Sequence, residues 1–428
     1  MTPFWIGIVG IAILLLLIAI RCPIALAMAV VGFFGFAVLV AWGPAASVTA
    51  SAPLELLSSY GFSPIPLFIF MGALASRSGM ASELFSGARS LFGGWRGGSA
   101  LAALSACGVF SAISGSSVAT AATMTRVALP EMERNGYSPA LATGALAAGG
   151  TLGIMIPPSI ALLLYGLITE QSVGDMFIAG LTPGLLGLLM YSITVALVVY
   201  FRPSLAAASP STVLMEKLKG IAKMGPFLLM FAIVMGGLYG GLFTPTEAAG
   251  IGAFVTLIVA VFRGLRLPGF MAAVSETLVT SALIFFMLMG AEVFGYFLSV
   301  SRLPFTLAEV FSSFDLAPLG ILLCVLLLYM VLGCFMDSIA MMLLTVPVVY
   351  PLILQAGFDP IWFGVVTVLA VELGLITPPV GMNVFVINAT ARHIPLGQIF
   401  RGVVPFIVSD LLRLALLVAF PAIALWLL

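Results

Sequence analysis

The chain has 428 residues, 62% of them hydrophobic and 7% charged, and its 16 basic and 16 acidic side chains cancel. Soluble domains carry about 25% charged residues, so this is the composition of an integral membrane protein with no separate soluble domain. With no basic run, nucleic acid is excluded as a partner.

A membrane-spanning helix needs about 20 apolar residues. On that rule full crossings are expected near 4–20, 24–42, 64–79, 139–169, 176–201, 225–243, 246–262, 271–300, 360–391 and 403–427. The first lacks the positive segment of a secretory signal and reads as a retained helix. Ser138-Pro139 and Asp359-Pro360 each place an N-cap oxygen before a proline at the first helical position, and Thr244-Pro245-Thr246-Glu247 adds the glutamate of a capping box. The loop 80–98 and the segment 302–315 read as amphipathic pieces lying on the surface.

Two apolar stretches do not fit as simple crossings. Residues 99–130 are interrupted by Ser111, Ser114-Gly115-Ser116-Ser117 and Thr120, and residues 317–351 by Gly333 and Asp337-Ser338. Their later arms, 118–129 and 339–350, are too short to span, so each stretch reads as a re-entrant hairpin with a buried polar tip; the alternative is one long tilted helix bearing hydroxyls. Two crossings are themselves interrupted, at Gly153-Ile154-Met155-Ile156-Pro157-Pro158-Ser159 and at Gly374-Leu375-Ile376-Thr377-Pro378-Pro379-Val380. Paired prolines lack N–H groups and clash with the preceding turn, so both helices break near mid-membrane. The freed carbonyls and N–H groups are tolerated there only where they line a cavity or meet a ligand.

Orientation follows from lysine and arginine. With the N-terminus outside, the inner face receives Arg21, Arg77, Arg89, Arg96, Arg126, Arg134, Arg202, Lys217, Lys219, Lys223, Arg263, Arg266, Arg392 and Arg401, and the outer face only Arg302. Both termini are then on the outer side. Arg413 falls inside the last crossing, one turn from Asp410, which offsets its charge. A shift of 221 residues places Pro130, Gly136, Pro139, Leu152, Gly153, Pro157 and Pro158 on Pro351, Gly357, Pro360, Leu373, Gly374, Pro378 and Pro379, and Ser117 on Ser338. Five crossings separate the hairpins, and an odd number inverts the second copy. The fold class is therefore all-α, an inverted repeat with two re-entrant hairpins and two broken transmembrane helices, the architecture of a secondary transporter.

Hard cations such as sodium take oxygen ligands. The first half offers Ser114, Gly115, Ser116, Ser117 and Thr120 at its tip, with Gly153, Pro157 and Ser159 around its break. The second offers Asp337 and Ser338, then Gly374, Thr377, Pro378 and Asn383. Small hydroxyl residues also serve plain helix packing, and Asp337 reads equally as an N-cap. Anionic substrate could use helix N-termini at the tips, with Ser116, Ser159, Asn383 and Arg126 as side-chain partners, although Arg126 also fits plain positive-inside placement. Glu372 lies within the membrane beside the second break, where it could bind a cation, carry a proton or pair with an arginine. Glu276 and Glu292 fit an interface or an inter-helix contact. The single histidine, His393, and four cysteines without ligand spacing (Cys22, Cys107, Cys324, Cys334) leave a metal cofactor or nucleophilic catalysis no material, so no enzyme is expected; the thiols read as buried and free. No phosphate-binding loop is present, so ATP is not hydrolysed on this chain.

Ser114-Gly-Ser-Ser117 with Ala119-Thr120, the first break, Thr244-Pro-Thr-Glu-Ala-Ala-Gly250 and Gly374-Leu-Ile-Thr-Pro-Pro-Val-Gly-Met-Asn383 together resemble the large membrane subunit of tripartite ATP-independent periplasmic (TRAP) transporters, the DctM type, over essentially the whole chain. The resemblance implies an inner-membrane, sodium-driven importer of organic acids such as C4-dicarboxylates or sialic acid, without other cofactors. It implies an elevator motion of the hairpins and broken helices against a scaffold. It also implies two partners, a periplasmic substrate-binding protein and a small four-helix membrane subunit, here expected as a separate polypeptide. On that reading residues 1–63 are scaffold, 64–201 the first repeat, 202–270 scaffold helices and an inner loop, 271–391 the second repeat and 392–428 a C-terminal helix. A stand-alone sodium- or proton-coupled anion carrier is the competing reading.

Overall fold

The structure is a computed structural model that describes residues 2–206, 213–313 and 317–428; part of the expected inner loop (207–212) and the end of the expected surface segment (314–315) lie outside them. Among the described residues the chain is helical throughout. Seven helices are long and apolar enough to cross a membrane, and an eighth crossing is added if one bent pair counts as a span.

The chain opens with α1 (Pro3–Ala19) and α2 (Ile24–Leu39), then α3 (Trp42–Ser58). A first series follows: α4 (Pro64–Arg77), α5 (Met80–Leu91), α6 (Gly98–Ser114), α7 (Ser117–Arg134), α8 (Pro139–Met155), α9 (Ile160–Ile168) and α10 (Val173–Phe201). Two connecting helices, α11 (Leu214–Tyr239) and α12 (Pro245–Phe262), lead into a second series: α13 (Leu267–Ser301), α14 (Leu303–Ser313), α15 (Pro318–Gly333), α16 (Ser338–Gln355), α17 (Pro360–Gly374), α18 (Met382–Thr390) and α19 (Leu396–Ala419), with a last turn α20 (Ala422–Leu425). The two series follow the same order, a leading helix (14 residues in α4, 35 in α13), a short helix, a hairpin, a broken helix and a long helix.

Local chemistry explains most boundaries. Ser138 and Asp359 cap α8 and α17, accepting the N–H groups of Leu141 at 3.3 Å and Trp362 at 2.8 Å. Thr244 and Glu247 close the capping box at the start of α12. Amphipathic α5 buries Met80, Leu84 and Phe85 and is pinned on its polar side by ion pairs from Glu83 to Arg263 and from Arg89 to Glu131. In α14, Leu303 is buried and Phe305 exposed, the two-faced character expected of a surface-lying helix.

Four sequence expectations need correction. The later hairpin arms are not too short: α7 and α16 each run 18 residues, roughly 27 Å at 1.5 Å per residue, because Pro130, Pro347 and Pro351 lie inside the helices instead of ending them. Helix α3 was not among the expected crossings; it meets α4 at a 61° bend after Ser59. The last crossing runs from Leu396 and breaks at Phe420-Pro421. Cys324 faces outward with the exposed Leu323, Leu327 and Leu328 of α15 and is not a buried thiol.

The centre of the molecule is the pair of broken helices. Every residue of α8 from Leu141 to Met155, and of α17 from Trp362 to Gly374, is buried; a helix buried on all sides is core. The outer helices carry apolar stripes instead, such as Leu185, Leu189, Ile193 and Leu197 along α10, the spacing of one helix face turned to lipid.

Candidate transport site

Both hairpins turn at polar tips, with Ser114, Ser117 and Ser338 buried and Ser116 and Asp337 half-buried. Gly115, in the left-handed region at φ 60°, ends α6, and Ser116 caps α7 by accepting the Ala119 N–H at 3.3 Å. Asp337, 221 residues on, caps α16 in the same way, accepting the Ile339 N–H at 3.1 Å. Ser116 and Asp337 are thus equivalent caps in the two repeats, one neutral and one a carboxylate. Behind the first tip the Ser114 and Thr120 hydroxyls are 2.7 Å apart.

The breaks sit where the sequence places them. Between α8 and α9, Ser159 caps α9 through the Leu162 N–H at 3.2 Å and donates its hydroxyl to the Ile154 carbonyl. It thereby satisfies a carbonyl that the prolines leave open, and it is fully buried. Between α17 and α18, Thr377 donates to the Leu373 carbonyl at 2.6 Å, and the Cys334 thiol of the second tip lies 3.4 Å from the Pro378 carbonyl. The equivalent glycines hold each break against its own hairpin. A Cβ on Gly153 would stand 2.1 Å from the Ser111 side chain of α6, and one on Gly374 would stand 2.6 Å from the Gly333 backbone of α15.

One of the contacts between the halves is one that the sequence did not reveal. Asn383, on the first turn of α18, donates to the Ser117 hydroxyl at 2.6 Å and to the Ala147 carbonyl at 3.1 Å. The second break therefore supplies a side chain to the first tip and not to Asp337, with which the sequence grouped it. Asn383 Oδ1 is buried and has no hydrogen-bond partner among the described residues.

A cavity of about 510 Å³ connects the two tips. It is lined by Ser114 to Ser117, Asp337, Ser338 and the apolar Ile154, Ile160 and Leu375, and also by Ser76, Thr123, Thr280 and the exposed Arg126. Arg77 and Glu276, paired at 2.8 Å and both well exposed, stand at the mouth, so Glu276 makes the inter-helix contact expected of it. Arg126, exposed and bonded to the Ala122 carbonyl at 3.3 Å, lines the same cavity as the tips. Ser159 does not line it.

A family model described as the tripartite ATP-independent periplasmic transporter, DctM component, matches residues 11–423. The chain belongs to the DctM family of TRAP transporter large components. It is 37% identical over 374 residues to the C4-dicarboxylate TRAP transporter large permease protein DctM of Pseudomonas aeruginosa, covering 87% of both chains. To the isethionate TRAP transporter permease protein DctMQ of Oleidesulfovibrio alaskensis it is 32% identical over 414 residues, which is 95% of this chain and 64% of that longer one. Both relatives are named as permeases and neither as an enzyme. Among solved structures, the Alcanivorax borkumensis YdaH transporter has the same fold, with a TM-score of 0.61 at 15% identity over 86% of this chain and 85% of that one.

The DctM permease also contains a fully buried charge cluster at the crossing of its broken helices. Glu372 pairs with Arg413 at 3.0 Å, and Arg413 pairs with Asp410 at 3.0 Å. The Tyr191 hydroxyl donates to Asp410, and its oxygen lies 3.2 Å from the Thr151 hydroxyl. Sequence reasoning offset Arg413 with Asp410 and left the partner of Glu372 open. Arg413 serves both carboxylates, which only the packing of α19 on α17 and α10 brings about.

Proposed function

We propose that this DctM permease takes a small organic acid, such as a C4-dicarboxylate, from a periplasmic substrate-binding protein and imports it across the inner membrane, driven by sodium and by alternating access. The observation that carries this reading is the single cavity reaching from both hairpin tips to a mouth at Arg77, Glu276 and Arg126. The positive-inside rule supports an inner-side mouth, since arginines line it; on this reading the cavity is inward-facing and both termini are periplasmic.

Sodium is assigned to the two tips and breaks. In the first half its ligands are Ser114, Gly115, Ser116, Ser117, Thr120 and backbone carbonyls from Gly153 to Pro157, joined by Asn383 from the second. The unpartnered Asn383 oxygen is what a cation would complete. In the second half they are Asp337, Ser338 and the Gly374–Pro378 backbone with Thr377. The anionic substrate belongs near Ser116 and Arg126, among the N–H groups of the first turns of α7 and α16, where the helix dipoles are positive. Ser159 contributes by holding the first break closed.

The motion is an elevator. Residues 64–201 and 271–391, with their hairpins and broken helices, hold the moving parts; residues 1–63 and 202–270 belong to the scaffold. The small four-helix subunit packs against that scaffold.

Replacing Asn383 with alanine removes one oxygen ligand. The sodium concentration for half-maximal uptake should rise about tenfold, the equivalent of about 1.4 kcal/mol; an unchanged sodium requirement would free Asn383 of the ion role. The reading as a whole is tested by reconstituting the permease with its small subunit in proteoliposomes, adding a C4-dicarboxylate binding protein outside and applying an inward sodium gradient. Uptake that needs both sodium and the binding protein is the expected result. Sodium-driven uptake without the binding protein would make the chain a stand-alone carrier, and flux indifferent to sodium would contradict the coupling.

A further inference from the structure

The charged side chains that line the cavity are segregated. Asp337 stands at the second hairpin tip, while Arg77, Glu276 and Arg126 come from three other helices, α4, α13 and α7. On each of these helices the lining residues grow more exposed towards the charge. On α4 they pass from buried Gly72 through half-buried Ser76 to exposed Arg77. On α13 they pass from Ile284 through Thr280 to Glu276, and on α7 from Ser117 through Thr123 to Arg126, with the same gradient. The three charged groups therefore share the mouth. The Ser76 and Thr123 hydroxyls, 3.4 Å apart, bring α4 and α7 together within one turn of both arginines.

The charge at the mouth does not cancel. Arg77 gives its Nη2 to Glu276 Oε2 at 2.8 Å. Arg126 donates to the Ala122 carbonyl of its own helix and makes no ion pair among the described residues. Two guanidiniums against one carboxylate leave one positive charge. An exposed ion pair is weak and readily exchanged, and a guanidinium accepts any carboxylate in the same forked geometry. Glu276 thus fills, from the chain itself, the place that a carboxylate of the cargo would take on Arg77.

We propose that the cavity mouth is a second binding station for organic carboxylates, in which Arg77 and Arg126 hold the anion and Glu276 competes with it for Arg77. Arg126 is common to this station and to the substrate position near Ser116; Arg77 and Glu276 belong to the mouth alone. The positive charge draws an anion from the tips to the mouth, and the Glu276 carboxylate then displaces it, so the station passes the anion on instead of retaining it. Glu276 sets the affinity: without it, Arg77 would hold the cargo. For its cargo the station rests on the organic-acid importer reading; its charge pattern holds whatever drives transport.

The test needs neither a sodium gradient nor a binding protein. Val118→Cys, in a chain without its four native cysteines, is purified in non-ionic detergent at low salt. Its reaction rates with an anionic (sulfonate) and a cationic (trimethylammonium) methanethiosulfonate are each divided by the rate with free 2-mercaptoethanol. The anionic reagent should be favoured. One unit of charge at the mouth should change the anion-to-cation ratio about fivefold, and added salt should shrink that change. Arg77→Ala and Arg126→Ala should each lower the ratio, Glu276→Gln should raise it, and the double variant Arg77→Ala, Glu276→Gln should restore it. Succinate should slow the anionic reagent more than chloride does at equal ionic strength, and about threefold less succinate should suffice in Glu276→Gln. The proposal is overturned if Arg77→Ala and Glu276→Gln move the ratio in the same direction, as loss of a plain tie between α4 and α13 would. It is also overturned if neither reagent reaches the introduced thiol, or if chloride competes as well as succinate. Sodium-driven uptake is measured separately, so failure here is distinguishable from failure of the importer reading.

Discussion

Arg413→Ala should lower the stability of the permease by about 3–5 kcal/mol, the range for removing one partner of a buried ion pair, and should leave little folded protein in detergent. The cost has two parts. Glu372 and Asp410 are left buried with only Tyr191 and Thr151 beside them, and the volume of a fully buried arginine becomes a hole between α19, α17 and α10. The parts separate in the triple variant Arg413→Ala, Glu372→Gln, Asp410→Asn, which keeps the hole but removes both carboxylates. Its melting temperature should lie well above that of the single variant. Equal melting of wild type and Arg413→Ala would show that the cluster does not hold the central helices together.

Gly374→Ala should abolish transport while leaving a folded protein. An added Cβ at this position meets the Gly333 Cα and carbonyl carbon at 2.6 Å, and backbone cannot swing aside as a flexible side chain can. Helices α15 and α17 must move apart, at about 1–3 kcal/mol for an overpacked core. The displaced atoms are those next to the second tip, so Asp337, Thr377 and the Cys334–Pro378 contact lose their mutual positions. Sodium-driven uptake should fall at least tenfold. Gly295→Ala is the control: a Cβ there meets nothing within 4 Å, and alanine is the better helix former by about 1 kcal/mol. Uptake by Gly374→Ala equal to that of the control would show that the close approach of break and hairpin is not required.

The features legible in the sequence were those set by local backbone chemistry. Paired prolines announced both breaks, Ser138-Pro139 and Asp359-Pro360 announced the helix starts after the hairpins, and glycines and prolines at a constant shift announced the repeat. What escaped has physical reasons. Helix α3 mixes Ser47, Thr49, Ser51 and Pro53 with its apolar residues, so no apolar run marks it. Pro130 and Pro351 suggested helix ends, yet α7 and α16 continue past them to Arg134 and Gln355; one lost hydrogen bond is tolerable where a helix is packed on its neighbours. Hydroxyls and the aspartate named the tips as polar, but not that Asn383 reaches across 266 residues to Ser117. Nor does any local pattern bring Arg413 to Glu372. Both contacts are made by packing between repeats, for which a single sequence carries no spacing rule.

Alternating exposure of the tip cavity is the central claim, and cysteine accessibility tests it most directly. Val118, on the first turn of α7, lines the cavity. A Val118→Cys variant, made in a chain without its four native cysteines, is exposed to a membrane-impermeant thiol reagent in vesicles of each orientation. At rest the cysteine should react from the inner face. With sodium and the substrate-loaded binding protein on the periplasmic side, reactivity should appear from that side and fall from the inside. Reaction from the inner face alone under every condition would contradict alternating access, and simultaneous reaction from both faces would describe an open channel.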